Sequence, residues 1–400
     1  MKAFSFVCAL CTSLLLSACG GGGGGGNVVN NDTKSVARLE SLLVVPNITA
    51  GTTFSFDLGD VDPSMNRYYF TDRNNKSVDV YDTRTGTLIK QITGGFAGVG
   101  PSSETSGPDG INVIPNSNFV YVGDVNSVKI IDTRVDAVVK TIPVSTTGNR
   151  ADEGCFDKDD NIYMISSPGE SPPFSTFIST ATQTVIAKLV FPDSGGLEQC
   201  AYDPGTKSFL VNNDATKANP HGELDVISAA SVLAGAPVVT KGFPLGNCDP
   251  TGLALGPGTD VAVECRPGTP GSPLVMLIMD RTNGNVLASV AAGGGDQITY
   301  DPVGNRYFAA GNRWTPSGLS VASCTATTPC TPVLAIVDAK SRTLIGRITS
   351  GNNAHSVAVD SVNQRVYVPF SSSTAPAGCN NCDLFGTGQG GVAVYAIGGG

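Results

Sequence analysis

The stretch that decides the fold runs Asp62-Pro-Ser-Met-Asn-Arg-Tyr-Tyr-Phe-Thr-Asp72, then Ser77-Val-Asp-Val-Tyr-Asp-Thr-Arg-Thr-Gly-Thr-Leu-Ile-Lys-Gln-Ile92. It reads as strand, turn, strand, Asp-headed turn, strand. A second copy follows: Asn118-Phe-Val-Tyr-Val122, Ser127-Val-Lys-Ile-Ile-Asp132, then Ala137-Val-Val-Lys-Thr-Ile142. β-Branched and aromatic residues between turn residues predict short antiparallel strands. Asp82 and Asp132 are placed to cap their turns through the following backbone N–H groups. The same frame returns at 157–165, 203–211, 256–263, 301–309 and 360–368, with further Asp turns at Asp280 and Asp338.

Seven copies of a four-stranded unit at roughly 45–60 residues predict a single all-β, seven-bladed propeller over residues 41–400. The last copy ends at Val392–Ile397 without an outer strand. The early segment 42–48 has no partner in sequence. Pairing the two closes the ring and removes exposed sheet edges.

Together, Tyr69-Phe-Thr-Asp72, Val80-Tyr-Asp-Thr-Arg-Thr-Gly86 and Ile130-Ile-Asp-Thr133 resemble the YVTN-type seven-bladed propeller family. The resemblance implies this fold. It implies no single activity, since propellers host lactonases, lyases, redox enzymes and binding modules.

Working outward, Met1-Lys2, an apolar run 3–16 and Leu16-Ser-Ala-Cys19 resemble a bacterial lipoprotein signal, residues 1–18, with lipid expected on Cys19. Gly20, where Asp would signal retention, points by analogy to the outer membrane, facing the periplasm or the cell surface. Seven consecutive glycines, Gly20–Gly26, predict a flexible tether within residues 19–40. Membrane contact is therefore expected only through the N-terminal lipid. The net charge of −9, from 25 Lys+Arg and 34 Asp+Glu, disfavours nucleic acid as a partner. A monomer is expected.

In a propeller, the inner strand begins on the face where the second and third strands join. Long insertions fall on that face at 166–175, 212–222, 264–273, 311–332 and 371–391. Elaborated loops on a rigid scaffold are the usual layout of a binding site. Aligning the inner strands places Asp57, Asp109, Asp152, Glu198, Thr251, Asp296 and His355 at their leading ends, with Glu153 and Asp249 close by. Converging carboxylates are tolerated when solvated, hydrogen-bonded, protonated or bound to a cation.

No cofactor is certain from the sequence. A divalent cation, Ca²⁺ first, fits such oxygen donors, with Asp109, Glu198 and Asp296 as its metal ligands. The leading expectation is a module that binds a small molecule, polymer or protein at this mouth. The alternative is a metal-assisted lactonase-like hydrolase or lyase with His355 as proton carrier, as in the regucalcin and gluconolactonase class by fold-level analogy. A purely structural surface protein and simple capping of strand ends by the acids are the blander readings. His221, on a loop of the same face, is a further catalytic candidate.

Eight cysteines in an exported domain predict disulfides. Cys155 and Cys200 lie on neighbouring inner strands, and Cys248 and Cys265 on the first two strands of one blade. Cys324 and Cys330 share a loop, as do Cys379 and Cys382. No haem Cys-x-x-Cys-His, Gly-x-Ser-x-Gly or His-Glu-x-x-His motif occurs. Phe174, Phe177, Trp314, Phe370 and Phe385 fall in or near the long loops and form a candidate exposed aromatic cluster.

Overall fold

The computed structural model describes residues 37–48, 53–371 and 389–398. The leader, Cys19, the glycine run, Cys379, Cys382 and Phe385 lie outside them. Seven four-stranded antiparallel sheets cover 56–93, 111–143, 154–190, 197–244, 250–290, 298–349 and 358–397, the last completed by Ala37–Val44. Successive strands are neighbours within each sheet, so each blade is a meander from axis to rim. Phe56–Asp62 of blade one packs beside Ala358–Asp360 of blade seven, which closes the ring. The chain is a seven-bladed β-propeller.

The second and third strands of each blade are buried on both faces, because a neighbouring blade covers each side. They therefore read as continuous apolar runs, such as Tyr68-Tyr-Phe70 and Ile162-Tyr-Met-Ile165, all at most 1% exposed. Outer strands meet solvent and expose Leu88, Ile89 and Val139. The core is accordingly divided into seven wedges, one at each junction.

The Asp turns behave as their chemistry requires. Asp62, Asp157, Asp203, Asp301 and Asp360 accept the backbone N–H two residues on at 2.8–3.0 Å. Asp82, Asp132 and Asp280 do the same at 2.8–2.9 Å, and Asp338 accepts from Ser341 at 2.6 Å. Asn66, Asn161 and Asn305, each just before a second strand, adopt the left-handed φ that asparagine tolerates.

Ring closure pairs Leu42 with Ala393 and Leu43 with Val392. The closing strand differs in extent from the expected 42–48. It reaches back to Ala37, inside the stretch read as tether, and ends at Val44. Pro46 has no N–H to donate, and Asn47 is left-handed at φ 62°, so the ladder cannot continue.

Polar side chains near the axis tie blade to blade. Gln297 accepts the Val357 N–H at 2.8 Å, Ser356 the Gly59 N–H at 3.1 Å and Asp60 the Val113 N–H at 2.8 Å. Tyr163 donates to Asn112 at 3.0 Å, and Gln199 accepts from Leu253 and Ile298 at 2.7 and 3.2 Å. The junction of blades three and four adds a covalent tie, Cys155–Cys200, to the hydrogen bond that Tyr202 donates to Asp159 at 3.1 Å. Cys248–Cys265 and Cys324–Cys330 are also bonded, as the topology predicts.

Candidate functional site

The leading ends of the inner strands converge because the blades approach closely there. A Cβ on Gly110 would meet the Asp152 carbonyl at 1.9 Å, and one on Gly123 the Ala151 carbonyl at 2.1 Å. Both positions therefore require glycine, and their absent side chains let Asp109 and Asp152 come together. The seven-fold row of leading residues separates into two acidic groups with different surroundings.

In the first group, carboxylate oxygens of Asp57, Asp109 and Asp152 lie within 4.8 Å of one another. All three are buried. Two guanidiniums enter between them. Arg73 comes from the short turn joining the second and third strands of blade one. Its Nη2 lies 2.9 Å from Asp57 and also pairs with Asp109. Arg150, from the segment leading into blade three, lies 2.8 Å from Asp152 and 3.4 Å from Glu104.

Burial opposes ionisation of all three, but Arg73, then His355 and Arg150, hold Asp57 well below the usual carboxylate range. Burial pushes Asp109 up against the pull of Arg73, with the Asp57 charge adding to the rise. Burial also lifts Asp152 to about 7 against Arg150, with Asp57 again adding to the rise. The set titrates together, so a proton held by Asp109 or Asp152 belongs to the whole group.

His355 joins this group. Its ring stacks on Phe56 at 4.6 Å, and Nδ1 donates to the Asn353 carbonyl at 2.7 Å. Nε2 therefore faces Asp57, at 3.8 Å.

The second group is Glu153, Glu198 and Asp296, again with oxygens within 4.8 Å. Its one ion pair among described residues is Arg266 to Asp296, at 3.8 Å. Glu153 is 6% exposed, and its Oε2 has no hydrogen-bond partner. Burial raises Glu153 well above its ordinary value, and Asp152, Glu198 and Asp296 add to the rise. Burial and Asp214 raise Glu198 well above its own. Asp214 is pushed up to about 6 by burial, with Arg266 opposing. Glu264, fully buried behind them, accepts the Gly295 N–H at 2.9 Å and leaves Oε2 unpartnered. Arg266 is thus shared among Asp296, Glu198, Asp214 and Glu264.

The structure gathers these acids into two groups, and they differ from the expected set of Asp109, Glu198 and Asp296. Asp109 does not cluster with Glu198 and Asp296. Arg73 occupies it, and Glu153 completes the other set. Thr251 spends its hydroxyl on the Gly295 carbonyl at 3.2 Å. Asp249 is drawn aside, its carboxylate meeting His221 Nδ1 at 3.1 Å and accepting the Gly268 N–H at 2.6 Å. The aromatic residues form no exposed cluster among the described residues. Phe177 and Phe370 are buried, Trp314 lies under Arg347, and Lys188 covers Phe174.

Sequence reading missed Arg73 and Arg150. The available signal was an arginine in a short turn on the same face, at Asp72-Arg73. The insertions do share this face: strands two and three are separated by 214–222, 266–275 and 312–332 in blades four to six, but only by 73–76 and 125–126 in blades one and two.

No known family profile matches the sequence, and no curated protein matches it. Among solved structures, Kuenenia stuttgartiensis hydrazine synthase is similar, with a TM-score of 0.48 and 18% identity over 86% of this chain and 84% of that one.

Proposed function

We propose that this protein is a lipid-anchored, extracytoplasmic binding module of the YVTN type, which holds its ligand through a divalent cation at the channel mouth. Glu153, Glu198 and Asp296 are the cation's ligands and Ca²⁺ is the preferred ion. The observation that carries the reading is the buried Glu153 carboxylate, aimed into an acidic group without a partner of its own. Oxygens bound to one Ca²⁺ at about 2.3–2.6 Å stand at most about 5 Å apart, which this set satisfies. The ligand is a small molecule, polymer or protein surface whose oxygens complete the coordination shell. The anchor rests on the Leu16–Cys19 motif and its apolar run, and the outer-membrane address on Gly20.

Catalysis by a lactonase-like route has less support. His355 is the natural proton carrier, yet its free nitrogen faces Asp57, which two guanidiniums already neutralise.

Calorimetric titration of metal-stripped protein with CaCl₂ should show one site, with a Kd of about 10⁻⁴ M, typical of extracellular modules. Glu153→Gln and Asp296→Asn should each weaken it by about tenfold or more, since each removes a charged ligand. Burial raises Glu153 and Glu198, so protons compete with the metal and affinity should increase from pH 5 to pH 8. Absence of any Ca²⁺ or Mg²⁺ binding at millimolar concentration would sink the proposal.

A further inference from the structure

A second site lies away from the axis. On the rim of the loop-rich face, between blades three and four, the chain forms an open cavity of about 330 Å³. Phe191, Pro192, Ala218 and Val239 give it hydrocarbon walls. Glu223 and Asp225, two residues apart on the third strand of blade four and so on one face of it, give it two carboxyls.

Asp225 is 1% exposed, and its Oδ1 has no hydrogen-bond partner. Its Oδ2 accepts the Asn213 amide at 2.9 Å. Glu223 accepts from the Asn219 amide and, at 3.4 Å, from the Thr216 hydroxyl. Among the described residues no cation pairs with either carboxyl. Lys217 is turned across the rim to Asp193, at 2.8 Å. Burial, opposed by the Asn213 amide and reinforced by the Glu223 charge, lifts Asp225 to about 7.

A buried carboxyl without a countercharge, beside hydrocarbon walls, suits a ligand with a positive end and an apolar body. We propose that this cavity binds a primary alkylammonium. Its three N–H donors serve Asp225 Oδ1 and the Glu223 carboxylate, and its chain lies along Phe191, Pro192 and Val239. A bare metal ion fits less well, because the Asn213 amide is a donor here, Asp193 in the wall is already paired with Lys217, and Phe191, Pro192, Ala218 and Val239 offer only carbon.

The repeat offers an internal precedent. The register that Asn213 and Asp225 occupy in blade four is filled in blade two by Asp124 and Lys129, a buried pair 3.6 Å apart. Blade two thus seats its own ammonium beside a carboxylate where blade four has none.

The test compares n-butylammonium with n-butanol on the wild-type protein at pH 8, by ¹H–¹⁵N chemical-shift titration. Saturable ammonium binding is expected, with the neutral alcohol weaker by about tenfold or more because it lacks the charge-assisted bonds. Binding should weaken by a similar factor at pH 5, where Asp225 carries a proton. Asp225→Asn should weaken it as much while keeping its melting transition. Equal binding of amine and alcohol, no binding of either, or an unchanged affinity in the folded variant would overturn the assignment.

Discussion

Replacing Cys155 and Cys200 together by Ser should lower the unfolding free energy by about 4 kcal/mol, the chain-entropy value for a loop of this length. The bond joins residues 45 apart in sequence. Cys324 and Cys330 are only 6 apart, and the same relation gives about 2 kcal/mol for that bond. Position in the ring reinforces the difference. Cys155–Cys200 ties two inner strands covalently, at a junction otherwise bridged by the Tyr202–Asp159 hydrogen bond. Cys324–Cys330 only closes a surface loop. Denaturant unfolding of the two double variants checks this. A loss at the 155–200 pair no larger than that at the 324–330 pair would refute its role in holding the ring.

The pairing of these cysteines was legible in the sequence for the same reason the blades were. Both depend on a local pattern repeated at a regular interval. An Asp turn such as Asp301, followed by Asn305 in left-handed backbone, is written within five residues. Once the frame is found, each inner strand is placed, and with it Asp57, Asp109, Asp152, Glu153, Glu198 and Asp296.

What the frame does not carry is the partner of each acid. Arg73 and Arg150 reach the mouth from different blades, and their meeting depends on side-chain reach across the ring. The turn holding Arg73 spans only 73–76, and its length does not mark it as part of a binding face. The closing strand begins before the expected residue 42 for a related reason. Its first half, Ala37–Glu40, is an exposed edge beyond Ala37, held by backbone pairing and by the Glu40–Arg365 ion pair at 2.6 Å, so no apolar run marks it.

Arg73→Met should cost about 3–5 kcal/mol at pH 8, the usual penalty for stranding buried charge. Arg73 is 6% exposed and its Nη2 serves both Asp57 and Asp109. Methionine keeps the bulk and removes the charge.

The cost should grow with pH, and both kinds of carboxyl in the group push the same way. Asp57 lies below its unfolded value in the native protein, mainly through Arg73. Its stabilisation is present above the unfolded pKa, near 4, and is lost as pH falls through the lower folded value. Removing Arg73 forfeits that contribution at neutral pH and still at pH 4, and spares it only well below pH 4, where Asp57 is protonated in both states.

Asp109 and Asp152 lie above their unfolded values. Their contribution is complete below about pH 4 and is lost as pH rises through the folded values, about 7 for Asp152. Arg73 restrains both rises, so without it more is lost on the alkaline side. The difference between wild type and variant should therefore be smaller near pH 4, where only the Asp57 part remains, and largest at pH 8. Arg73→Lys keeps the charge but not the planar fork and should recover part of the loss. Equilibrium unfolding across that range decides the matter. A penalty below about 1 kcal/mol, in the range of exposed pairs, or one independent of pH, would mean that Arg73 does not neutralise the buried acids.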